Sequence, residues 1–112
     1  MKEKIDWNTF SAVEIRVGTI LKAEEFPEAR KPAIKLTIDF GDFGIKKSSA
    51  QITALYKPED LVGRQILAVT NFPTKQIGHF MSECLVLGAV CEKEGIVLIQ
   101  PDRLIANGTE IA

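Results

Sequence analysis

The chain has 112 residues, 46% of them hydrophobic and 26% charged, with a formal net charge of −1. That length suits one core, and the predicted unit is a single domain over residues 1–112. No apolar run approaches the roughly 20 residues of a membrane-spanning helix, so no membrane insertion is expected, and the near-neutral charge excludes nucleic-acid binding by bulk charge. Any anion site must be a local patch. The first residues, "MKEKIDWNTF", contain no apolar signal region, and a cytoplasmic protein is expected.

In chain order, Asp6 is a good N-cap, and Trp7 and Phe10 are spaced to share one face of a short helical turn. "VEIRVGTIL" alternates Val13, Ile15 and Val17 against Glu14 and Arg16, the period of a strand with one wet face. Gly18 then predicts a bulge or sharp bend. "AIKLTIDFG" repeats the alternation, with Ile34, Leu36, Ile38 and Phe40 inward. "GDFG" is a turn, and "IKKSSAQIT" pairs back as a more polar third strand. "KPEDLVG" predicts one helical turn, with Pro58 at its start and Gly63 past its end. "RQILAVT", "ECLVLGAV" and "GIVLIQ" supply the later strands, separated by a loop, "NFPTKQIGHF", and a charged turn, "CEKEG".

Short strands with one brief helix between the third and fourth follow the order of an OB-fold. The predicted class is all-β: a five-stranded Greek-key barrel with a short N-terminal helical turn and extra C-terminal strands. The runs 66–69, 85–87 and 96–99 lack alternation, so both of their faces need cover, whereas a barrel has one interior. The candidate covers are the N-terminal turn with Trp7 and Phe10, the C-terminal segment "RLIANGTEIA" and a second copy of the chain. Of these a homodimer with a two-fold interface is expected, using Trp7, Phe10, Leu85, Leu87, Ile96 and Leu98.

Catalysis finds little support. His79 is the only histidine and has no recognisable partner, and there is no glycine-rich phosphate loop, HExxH or CxxC. Cys84 and Cys91, seven apart on one apolar stretch, face opposite sides of an unbulged strand and read as core residues, not as a disulfide or metal pair. No enzyme activity, catalytic residue, metal or cofactor is predicted.

Binding is better supported. Arg30 and Lys31 fall in the first loop, Lys46 and Lys47 at the start of the third strand, and Lys75 in the loop after the fourth. On an OB barrel these places lie on one oligonucleotide-binding face. Ser48, Ser49, Gln51, Thr74, Gln76 and Ser82 between them suit phosphate, ribose or base-edge hydrogen bonds. Phe26, Phe72, Pro73, Phe80 and Met81 stand at loop edges, where they can accept an extended apolar peptide, stack bases or cap the barrel ends.

The stretches "ARKPA", "SSAQIT", "LYKPEDLVGRQ" and "NFPTKQIG" resemble the tRNA-binding domain family, and within it a free-standing branch described as bacterial secretion chaperones. The resemblance runs from "VEIRVGTIL" to the C-terminus. It implies a dimer of OB folds built through the N-terminal turn and C-terminal strands. It also implies two kinds of partner: unfolded precursor proteins with the export ATPase SecA, bound without ATP, or tRNA recognised by shape. Synthetase-linked modules of the family carry Asn-Ala-Asp-Lys-Leu and Ser-x-Gly-Met. Here Glu28-Ala29-Arg30-Lys31-Pro32 and Ser82-Glu83-Cys84-Leu85 stand in their place, so only Ala29, Lys31 and Ser82 carry over.

Overall fold

The computed structural model describes residues 1–112. The chain opens with helix α1 (Trp7–Ser11), where the Asp6 carboxylate accepts the Thr9 N–H at 2.8 Å and satisfies a donor that the first helical turn leaves free. A five-stranded sheet follows in the order β3-β2-β1-β4-β7. Its strands are β1 (Ile15–Glu25), β2 (Ile34–Asp39), β3 (Ile45–Ala50), β4 (Gln65–Val69) and β7 (Leu85–Val86). Two hairpins are attached to it: β5 (Lys75–Ile77) with β6 (Phe80–Ser82), and β8 (Gly88–Cys91) with β9 (Gly95–Leu98). The fold is thus all-β, as expected, with the extra C-terminal strands.

The sheet curls into a nearly closed barrel. Glu83 N–H donates to the Lys47 carbonyl at 2.7 Å, Lys47 N–H returns a bond to Glu83 Oε1, and Ser48 Oγ donates to the Cys84 carbonyl at 2.8 Å. These contacts bring the chain beside β7 against β3. The core is the alternation read from the sequence: Ile34, Leu36, Ile38 and Phe40 are fully buried with Ile20, Leu61 and Ile66. Each such side chain contributes about 1.5–3 kcal/mol on leaving water. Leu61 follows the predicted turn, a 3-10 turn over Pro58–Asp60 between β3 and β4. Gly63, two residues on, has φ +91°, beyond the comfortable range of a side-chain-bearing residue.

The structure corrects several local expectations. Gly18 makes no bulge. It lies inside β1, where a Cβ would stand 2.6 Å from Ile38 Cγ2 and 2.7 Å from Phe40 Cε1, so glycine answers a close approach of core side chains. The bulge falls at Leu21, where the register shifts between the pairs Ile20↔Ile38 and Lys22↔Thr37. "ECLVLGAV" is not one strand, because β7 ends at Val86 and β8 begins at Gly88. "NFPTKQIGHF" is not a plain loop, since it holds β5, the hairpin turn and the first residue of β6. The run 66–69 finds most of its cover within the chain: Ile66, Ala68 and Val69 are buried and only Leu67 is half-buried. The C-terminal segment lies along the start of β1, with Gly108 N–H bonded to the Val17 carbonyl and the Gln65 amide clasping Ile105 and Asn107.

Candidate ligand-binding site

The β5–β6 hairpin is the centre of the site. Gly78, φ +61°, and His79 form its two-residue turn, with glycine at the first central position as a type II′ turn requires. Phe26 and Phe80 meet edge to face with centroids 5.2 Å apart, and Lys35 Nζ stands 5.4 Å above the Phe26 ring. This cluster moors the hairpin to the barrel at one end. At the other, the chain re-enters the barrel wall at Glu83 and Cys84. Burial raises the Cys84 thiol to about 11 despite its contact with Ser48, so it stays protonated and unreactive at neutral pH.

Two grooves meet along β5. The first, of about 540 Å³, is mainly apolar, with Phe72, Pro73 and Leu85 on its walls and Lys75, Gln76 and Ser82 at its polar side. The second, of about 350 Å³, holds Arg30, Lys31 and Lys75 with Ser49, Gln51 and Gln76. Lys75 and Gln76 belong to both grooves. None of the three cations joins an ion pair, since the molecule's salt bridges are Glu14–Arg16, Lys22–Glu24 and Asp102–Arg103. A local positive field therefore persists on a chain of net charge −1.

The residues singled out in the sequence divide accordingly. Arg30, Lys31 and Lys75 converge. Lys47 lies on the exposed side of β3 with Ser49, whereas Lys46 shares the parity of buried Ser48 and is turned away from the basic groove, within electrostatic reach of Glu14 and Cys84. Ser82 lines the apolar groove, away from the basic one. Among the apolar candidates, Phe72, at 54% exposed, Pro73 and Met81 are open to solvent. Phe80 is half-buried, and Phe26 is only 5% exposed because its ring packs beneath the hairpin, so its contribution is to mooring. Of the residues expected to face a partner chain, Trp7 is exposed and Leu85 lines the apolar groove. Phe10 and Leu87 are half-buried, and Ile96 and Leu98 pack against the core while Val97 between them is exposed.

Sequence reasoning overlooked the hairpin, and with it Leu85 as a groove wall. The signal was present: "KQI" and "FMS" flank a two-residue Gly-His, but strands of three residues lie below the length at which alternation can be counted.

Comparisons with known proteins agree with this architecture. Residues 15–110 match the family described as "Putative tRNA binding domain". The crystal structure of the chaperone CsaA from Bacillus anthracis superposes with a TM-score of 0.93 at 53% identity, covering 98% of this chain and all of that one. The CsaA chaperone protein of Picrophilus torridus gives 0.91 at 51%, covering 97% of this chain and all of its own. Methionine-tRNA ligase of Methanocaldococcus jannaschii is 30% identical over 109 residues, 97% of this chain. The chain spans only 16% of that enzyme's length, and a similarly small share of the other ligases it matches. The chain belongs to the tRNA-binding domain family and, within it, to the CsaA branch.

Proposed function

We propose that this protein is a non-catalytic holding chaperone for protein export, binding extended segments of unfolded precursor proteins in the cytoplasm without ATP and passing them to the export ATPase SecA. The observation that carries this reading is the open apolar groove of about 540 Å³ between Phe72, Pro73 and Leu85, edged by Lys75 and Gln76. An exposed apolar groove with a polar rim is what an unfolded chain needs, because its buried side chains are temporarily wet. The CsaA chaperones that share the fold support the same class. In this reading the active form is a homodimer. Support comes from Trp7, 76% exposed, and from a hollow of about 240 Å³ in which Trp7, Phe10, Val13 and Ile111 stand beside Ser11 and Glu110.

The test is suppression of aggregation. The purified protein should keep a denatured precursor soluble without nucleotide, and Phe72→Asp with Leu85→Asp should abolish this while leaving the fold intact by circular dichroism. Failure of the wild type to protect any unfolded client sinks the reading.

The basic groove favours a second reading, a structure-specific tRNA-binding module. Arg30, Lys31 and Lys75 lie within one groove beside Ser49 and Gln51. Binding of this kind releases counterions, so affinity for tRNA would fall steeply with salt, and Lys31→Glu would flatten that dependence by about one phosphate contact. An affinity indifferent to salt argues against it.

A further inference from the structure

We propose that an unfolded polypeptide is held by addition of a strand to the free edge of β5, with its acidic end over the basic groove and its apolar end in the Phe72–Leu85 groove. The inference rests on the chaperone reading and specifies its mode and its substrate class.

The register carries it. Lys75 pairs with Ser82, Gln76 with Met81 and Ile77 with Phe80 around a two-residue turn. Such a turn closes on a hydrogen-bonded pair, so Ile77 and Phe80 exchange bonds, as do Lys75 and Ser82, and the pair between them does not. The N–H and C=O of Gln76 therefore point away from β6. Thr74 continues the same parity, and neither residue's backbone takes part in any hydrogen bond outside the strands. β5 has no second strand beside it, and Thr74, Lys75 and Gln76 are exposed. Two alternate residues thus offer an unused donor and acceptor each, the pattern an incoming extended chain satisfies without regard to its sequence. The native edge is only three residues long, carries Lys75 and follows Pro73, features that limit pairing between folded copies.

The two grooves add selectivity. Along β5 the lining passes from Phe72, Pro73 and Leu85 at its start to Arg30 and Lys31 at its end. An antiparallel guest runs the other way, so its N-terminal part crosses the basic groove and its C-terminal part reaches the apolar one. The unpaired cations there complement carboxylates. The favoured segment carries Asp or Glu about three residues before a large apolar side chain, the span from Thr74 to Ile77 at roughly 3.4 Å per residue.

The test is a fluorescence-anisotropy titration with an unstructured twelve-residue peptide of that pattern, in which each backbone amide in turn is N-methylated. The expected result is alternation confined to the edge: methylation of either of the two guest amides, two residues apart, that face Gln76 and Thr74 weakens binding about tenfold, and methylation of the amide between them leaves it unchanged. Reversing the order of the acidic and apolar halves should weaken it several-fold. Gln76→Pro removes an N–H the hairpin does not use and should reproduce the loss, with circular dichroism confirming the fold. Methylation without alternation, or Gln76→Pro binding as tightly as wild type, overturns strand addition while the chaperone reading stands. No binding of this peptide or of any unfolded client overturns both. Self-association abolished by Gln76→Pro would mean a second copy fills the edge. Loss of tRNA binding in Lys75→Glu, with the peptide indifferent to methylation, would give the cleft to nucleic acid. Either result overturns the inference.

Discussion

Gly18 illustrates how a single residue reports on packing. Its α-carbon faces Ile38 and Phe40 at distances no Cβ tolerates, and Gly18→Ala should cost about 1–3 kcal/mol through displaced core side chains. A urea titration would read this, and an unchanged midpoint would mean the two strands separate easily. Glu14 gives a pH dependence. Its carboxylate accepts from Thr70 Oγ1 and from Arg16, and these bonds, the Thr70 bond first, hold its pKa below the ordinary 4.5. A group shifted down contributes stability above its ordinary value and loses that contribution as the pH falls through its folded value. Stability should thus decline in acid below about pH 4.5, and Thr70→Val should make the decline shallower. Cys84 behaves oppositely, because its raised pKa favours the neutral thiol and its contribution is lost in alkali above the ordinary 9.0. Alkylation at about pH 8 should modify half-buried Cys91 first and leave Cys84 untouched until the protein unfolds. Prompt labelling of Cys84 would show that the barrel wall opens there.

Elements differ in how plainly the sequence displays them. β2 was legible because Ile34, Leu36, Ile38 and Phe40 alternate without interruption, and the barrel interior buries all four. The Pro58–Asp60 turn was legible from Pro58 and Gly63, residues whose backbone preferences act locally. The β5–β6 hairpin was not, since its position depends on the non-local meeting of Phe26 and Phe80, 54 positions apart in a sequence that gives no hint of the pairing. The basic groove was half legible. Topology brings Arg30, Lys31 and Lys75 together, but strand parity sends Lys46 elsewhere, and parity follows from a register that only the fold sets. If the aromatic pair moors the hairpin, Phe80→Ala should lower stability by about 2–4 kcal/mol and weaken peptide binding at the same time. Weaker stability with undiminished peptide affinity would separate the hairpin from the site.

At the scale of the molecule, the barrel is closed by contacts beside β7 and by the C-terminal segment on β1, and both leave large apolar side chains outside. Trp7, Val90 and Leu104 are each at least three-quarters exposed. A second copy covering part of that surface is the economical explanation in the proposed homodimer. Sedimentation at low micromolar concentration should give twice the chain mass, and Trp7→Glu should shift the protein towards the monomer. A monomeric wild type would remove the dimer from the account.

The central claim is that unfolded chains lie along β5, between the apolar and the basic groove. A denatured precursor carrying a photoactivatable cross-linker at its apolar positions, bound to the protein and irradiated, tests it most directly when the linked sites are mapped by mass spectrometry. The account predicts adducts at Phe72, Gln76 and Leu85, with fewer after charge reversal at Lys75. Adducts confined to Trp7, Phe10 and the C-terminal segment would contradict it, and would place the client on the surface assigned here to the second subunit.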